Sequence, residues 1–420
     1  MSTLFPKLAS FRRAFVQRPA AVLALPAPKP QRSTLPDLSL LDIPIRDLSS
    51  DGAAARAAFA RGQFLARQDR WEDLSGEIMS ADADRQKTPA GMPIADLMAY
   101  GARADVVQAA EHALFEERPA NDTPLVDGIA ALEQIRSEFS DDPYITAIVA
   151  MTHVDIGWTW RGSGQNSVLP QLNRDRCVAH FDRAFEILNP FCGIELNSPL
   201  IASTRCALLA GSRDPLPRLA DDYEDLIDLD PENHRPMRAL GNHMLPQWFG
   251  TYGALDLEAR RTAARTQDIW GAGGYTWVCF DAMAQDERVC EVIDTEFFIE
   301  GLRDIVKARP DQETVNLLAA FCAVTLRSQE GLDINSDLAR FQIADCASWL
   351  IRDHLTELHP LIWAHASEGF DNNARIMSPS RFAARGRSHG LMAIAEQFRD
   401  DIDRGLRVTF TPDGPQVGPA

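Results

Sequence analysis

The stretch LADDYEDLIDLDPENHRPMRALGNHMLPQWFG, Leu219 to Gly250, decides how the rest of the chain is read. Leu219, Tyr223 and Leu226 fall at i, i+4 and i+7, one apolar stripe of a helix that Asp230-Pro231 ends, since proline lacks the amide hydrogen to continue it. A second helix follows at once. Its Met237, Leu240 and Gly241 set two apolar residues and one small one where a partner helix must come close. The stretch predicts a helical hairpin with a short connector.

The pattern recurs. Phe298, Leu302 and Ile305 precede Ala308-Arg309-Pro310 with the same internal spacing, 79 residues after Leu219. Phe181, Phe185 and Leu188 form a like stripe before Asn189-Pro190, starting 38 residues before Leu219. Near the other end Gly62 and Leu65 lead into Trp71, Leu74, Ile78 and Ala81, a small residue for a close crossing followed by a facing stripe. Further helices are expected over Ile94 to Ala102 and Ala104 to Glu116 as a pair, over Leu125 to Phe139, and over Tyr144 to Trp160. Gly162-Ser163-Gly164-Gln165-Asn166-Ser167 is a loop by composition, and later helices are expected over Val315 to Arg327, Ser336 to Leu358 and Arg381 to Arg404.

Composition agrees with an all-α chain. The 420 residues are 45% hydrophobic and 24% charged, and no apolar run reaches the ~18 to 20 residues of a spanning helix, so no integral membrane association is expected. A net charge of -18 argues against a nucleic-acid partner, because phosphate binding requires clustered Lys and Arg. Residues 1–50 differ from the rest: they hold seven basic and three acidic side chains and seven prolines, and read as a flexible leader. Within them Arg12-Arg13 precedes an apolar run too short for an ordinary export signal. The helical domain is expected over residues 51–410, with a disordered tail at 411–420. Seven cysteines, odd in number and without a CxxC pair, read as buried free thiols of a cytoplasmic protein.

These stripes resemble the tetratricopeptide repeat, a helical hairpin of about 34 residues. Met237, Leu240 and Gly241 match its first helix, and Leu219, Tyr223, Leu226 and Pro231 match the end of the preceding unit. Asp281, at a position where that repeat has a small residue, departs from the pattern. The resemblance implies an α-solenoid of stacked hairpins. Trp158-Thr159-Trp160-Arg161-Gly162 and the later Leu245-Pro246-Gln247-Trp248-Phe249-Gly250 also resemble elements of an uncharacterised family of bacterial helical proteins, which implies no activity; Trp248 is read as packing at the bend after Pro246.

In tetratricopeptide repeats the first helix of each unit lines the concave face, and this implies a partner-binding role for Arg235, Arg238 and Asn242, spaced i, i+3, i+7. Two guanidinium groups and an amide suit a protein or acidic peptide partner, since arginine offers paired donors to a carboxylate. The bland alternative pairs them with the acidic run Asp221, Asp222, Glu224, Asp225 and Asp228, itself read as a solvated face. On the clamp reading, Arg238→Glu would abolish partner capture and leave the fold intact. No catalytic motif, cofactor cradle or standard metal spacing is present, and Gly271-Ala272-Gly273-Gly274 reads as a turn. The expected function is a non-catalytic interaction scaffold. Two alternatives stand beside it: a metal-dependent or hydrolytic enzyme using His354, Glu357 and His359, and an exported or membrane-associated factor.

Overall fold

The structure is a computed structural model that describes residues 35–115, 123–162, 170–212, 216–327, 334–368 and 378–420. Residues 1–34, with the Arg12-Arg13 motif, and 163–167 of the glycine-rich loop lie outside the described residues. The chain divides into two units, Met1–Leu35 and Pro36–Ala420, and the second contains every helix and strand of the described residues.

The first half runs through α1 (Ser50–Arg67), α2 (Trp71–Ala83), α3 (Ile94–Phe115), α4 (Thr123–Glu138), α5 (Pro143–Arg161), α6 (Gln171–Leu188) and α7 (Pro199–Leu208). Next come α8 (Leu216–Leu229), α9 (Arg235–His243), α10 (Tyr252–Arg265), the short α11 (Gln267–Trp270), α12 (Gly273–Gln285) and α13 (Thr295–Ala308). The last are α14 (Gln312–Ala320), α15 (Ile334–Ala344), α16 (Ala347–Trp349), α17 (Pro360–Glu368), α18 (Pro379–Gln397) and α19 (Arg399–Asp403). The chain is mainly helical, as composition predicts. Among the described residues no helix is long and apolar enough to cross a membrane.

Helix ends follow the local chemistry. Asp142 caps α5 by accepting from the Tyr144 and Ile145 amides, with Pro143 in the first turn, and Ser49, Ser198 and Thr251 cap α1, α7 and α10 in the same way. Two of the stripes are buried as expected: Leu219, Tyr223 and Leu226 on α8 and Phe298, Leu302 and Ile305 on α13 are at most 3% exposed; on α6 Phe181 and Leu188 are buried, but Phe185 is 52% exposed. The pair expected over 94–102 and 104–116 differs from its reading: α3 runs uninterrupted from Ile94 to Phe115, with Gly101 in its interior as a contact residue.

Small residues choose the partners. A Cβ on Gly62 of α1 would run into the Met98 carbonyl of α3, and one on Gly101 of α3 into the Phe59 carbonyl of α1. The crossing expected between α1 and its sequence neighbour is therefore made between α1 and α3. Gly241 of α9 likewise abuts the Val278 carbonyl of α12, so the helix that carries Met237 and Leu240 packs chiefly on α12 and only secondarily on α8.

Both ends of the expected domain move. Residues 36–50 belong to the body: Leu41–Asp42 forms β1, parallel to Val408 and Thr409 in β2 (Leu406–Thr411), and the Arg46 amide donates to the Leu358 carbonyl at 2.9 Å. The tail at 411–420 is not disordered. β2 turns at Thr411-Pro412-Asp413-Gly414 into antiparallel β3 (Gly414–Pro419), Gly414 having φ +105°, which favours glycine. Val408 and Phe410, alternate residues of β2, are buried, with Phe410 edge-on to Phe398 at 5.8 Å. A Pro-Asp-Gly tract is as much a hairpin turn as a disordered tail, and the alternating apolar pair before it decides between them.

Candidate functional site

The site is built where the loop before α3 meets the segment before α9. Lys87 donates to Asp230 at 2.6 Å and the Arg85 guanidinium to the Leu229 carbonyl at 3.0 Å, which ties that loop to the end of α8 and the segment after it. Asp51, opening α1, accepts the Ala90 amide of the same loop at 2.7 Å. The Arg309 guanidinium donates to the Pro89 carbonyl at 3.0 Å. Asp96 in the first turn of α3 and Arg235 at the start of α9 thus share one neighbourhood.

The three α9 residues fare differently. Arg238 forms a two-pronged pair with Asp281 of α12, Nε to Oδ2 at 2.9 Å and Nη2 to Oδ1 at 2.7 Å, with its guanidinium carbon 5.2 Å from the centre of the Phe280 ring. Both side chains are mostly buried, 16% and 11% exposed. The clamp of two free arginines is thereby corrected, because Asp281 already holds one of them. The acidic face of α8 is not its partner either. Arg218 takes Asp222 at 2.9 Å and Arg265 of α10 takes Asp228 at 2.6 Å.

Arg235 is free: among the described residues its guanidinium meets no carboxylate and no hydrogen-bond acceptor. It is solvent-exposed, yet surrounding protein desolvates it and, with Arg238 alongside, lowers its hold on its proton. Asp96, half-buried and also without a hydrogen-bond or ion partner among the described residues, shows the same environment from the acidic side. Desolvation, then the charge of Asp82, pushes it up to about 6, against the pull of Arg235 and Arg103.

Buried polar atoms near Arg235 lack partners as well. Asn242 Oδ1, His234 Nδ1 and the Trp277 indole nitrogen have none among the described residues. His234 stacks on Trp277 with ring centres 4.1 Å apart, and desolvation keeps it neutral. Orphaned polar atoms in a native interior mark places for water or ligand.

The two tryptophan elements, distant in sequence, meet in space. Trp158 of α5 stands edge-on to Trp248 at 6.1 Å, and Arg161 lies over both rings, 5.4 and 5.9 Å from their centres. Trp248 also contacts His243 and Phe249, so it packs as expected, but across helices and not merely at its own bend.

His354, Glu357 and His359 do not form a metal set. His359 is buried, its Nδ1 bonded to Glu313 at 2.7 Å and its Nε2 to Glu357 at 2.9 Å. Desolvation lowers its proton affinity, but the two carboxylates on opposite ring nitrogens outweigh that and raise it above the ordinary value, and both ring nitrogens are engaged within the chain. His354 lies against Trp349 instead. Glu313, on α14, completes the cluster from outside the sequence neighbourhood. A second network joins Glu133, His153 and His180: His153 bridges Glu133 at 3.0 Å and His180 at 2.9 Å, while Arg183 clasps Glu133 at 2.7 and 2.8 Å. No hydroxyl or thiol among the described residues is bonded to His180, so the relay ends without a nucleophile. All seven cysteines are free thiols, five of them buried.

The chain matches no protein-family model, no curated protein and no solved structure.

Proposed function

We propose that the chain is a non-catalytic interaction scaffold of helical-repeat type, holding a segment of a protein or acidic peptide partner in the cleft in front of α9. One observation carries the reading. Arg235 and Asn242, seven residues apart on one helix face, keep polar atoms without an intramolecular partner among the described residues. A buried polar atom such as Asn242 Oδ1, left unmet, costs roughly 1 to 3 kcal/mol, a cost a partner relieves on binding, and the exposed Arg235 guanidinium is open to the same partner. An arginine and an amide on one face suit a carboxylate and a peptide group. The Trp158–Arg161–Trp248 stack supplies adjoining aromatic surface of the kind enriched at interfaces. In this reading the stacked hairpins form a solenoid whose inner side carries α9, in a reducing compartment suited to seven free thiols.

The test is capture of partners from the native host by wild type and by Arg235→Ala, a variant expected to keep the circular-dichroism spectrum and thermal midpoint. Loss of a specific captured protein by about tenfold supports the reading, and equal capture removes this face from it.

A further inference from the structure

We infer that the cavity between α6, the end of α7 and α8 binds a small apolar carboxylic acid, its hydrocarbon part against the walls and its carboxylate on Arg205. The inference goes beyond the scaffold reading and stands without it, since it uses neither Arg235 nor Asn242.

The cavity has a volume of about 290 Å³. At roughly 30 Å³ per water, that is space for a ligand of about ten non-hydrogen atoms. Its apolar walls are Phe181, Phe185 and Leu188 of α6 with Leu208 and Leu209 at the end of α7. The three α6 residues are the i, i+4, i+7 stripe of the sequence, and Phe185 in its middle is 52% exposed where a packed stripe would bury it. Its ring lines the cavity, so this part of the stripe faces open space and not a neighbouring helix. An apolar wall of this kind is shielded from water only when an apolar body enters. Gly211, in the turn after α7, keeps the space in shape. A Cβ there would strike the Phe181 ring, so any side chain at 211 would displace that wall.

The charges around the cavity select the head group. Among the described lining residues, Arg218 and Asp222 of α8 pair with each other at 2.9 Å. Asp182 is on the exposed side of α6, in water. Arg205 is half-buried and meets no carboxylate among the described residues. Its Nη1 donates to the Phe191 carbonyl at 2.9 Å, which anchors the guanidinium and leaves the Nε and Nη2 donors available. An anchored arginine with donors to offer suits a carboxylate. An ammonium in the same place would meet Arg205 and Arg218, and a doubly charged anion would meet added repulsion from Asp182 and Asp222. One negative charge on an apolar body is the complement of this lining.

A straight-chain acid and an aryl acid share that chemistry, and titration calorimetry of the full chain at pH 7.5 separates them. The probes are octanoate and 3-phenylpropanoate, with 1-octanol, octylammonium and acetate as controls. At least one of the two acids is expected to bind about tenfold more tightly than octanol and each of the other controls. Preference for octanoate identifies a straight-chain ligand, and preference for 3-phenylpropanoate an aryl one. Arg205→Met should bring the preferred acid down to the level of octanol while octanol binding stays unchanged. Ser212→Trp, placed on the exposed rim, should weaken both. No binding of either acid, octanol or octylammonium binding as tightly as the better acid, or acid binding untouched by Ser212→Trp overturns the inference. If Arg205→Met fails to fold, the comparison of acid with octanol on the wild type still decides the charge, and Ser212→Trp the place.

Discussion

Arg238 shows how far a single residue can be read without its neighbours. Its spacing with Arg235 and Asn242 is visible in the sequence, but its role depends on Asp281, 43 residues away, a position that the sequence marks only as a departure from the repeat. The expectation that Arg238→Glu leaves the fold intact therefore reverses. Removing one partner of a largely buried, two-pronged pair leaves an uncompensated charge, so Arg238→Ala should lower unfolding free energy by about 3 kcal/mol and Arg238→Glu by more. Urea denaturation checks this, and the double variant Arg238→Met with Asp281→Leu should recover most of the loss. A midpoint unmoved by Arg238→Glu would mean that the pair does not hold in solution. Arg235, from the same spacing, ends as the free member, because no acidic side chain reaches it among the described residues.

At the scale of elements, local chemistry is largely legible. Apolar stripes on α2, α8 and α13 and the cap at Asp142 follow from spacing and residue type alone. Which helices meet is not, because a glycine announces a close approach without naming its partner. Gly241→Ala would force α9 away from α12 and should cost well over 1 kcal/mol. Gly76, in the exposed interior of α2 with nothing near an added Cβ, makes the control: Gly76→Ala should stabilise by about 0.5 to 1 kcal/mol. The two substitutions should move the thermal midpoint in opposite directions. The C-terminal hairpin escapes a reading by composition, which takes a tail rich in Pro and Gly as disordered, whereas Val408 and Phe410 bury it. Deleting residues 406–420 should expose Phe398 and lower the thermal midpoint by several degrees.

For the molecule as a whole, titration separates two kinds of histidine. Desolvation, with the charges of His153 and Arg176, lowers His180 to about 4, and desolvation alone lowers His243 to about 4, so the unfolded chain takes protons near pH 6.5 that the native state refuses. Their contribution to stability falls on acidification between pH 6.5 and 4, by at most about 1.4 kcal/mol per pH unit for each histidine. His359 runs the other way. Glu313 and Glu357 raise it above its ordinary value against desolvation, so its contribution is complete below pH 6.5 and is lost as pH rises through the folded value. Replacing His243 by Asn should flatten the fall in urea midpoint between pH 6.5 and 4.5, and replacing His359 by Gln should remove stability more at pH 5.5 than at pH 8.

The central claim is that the α9 face of the cleft meets a partner, and a photo-crosslinking amino acid at Asn242 tests it most directly. Irradiation in the native host should join position 242 to a defined protein, with the adduct suppressed by Arg235→Ala, while the same probe at exposed Glu72 on α2 gives no such adduct. Identical adducts from both positions, or none from position 242, would contradict the account.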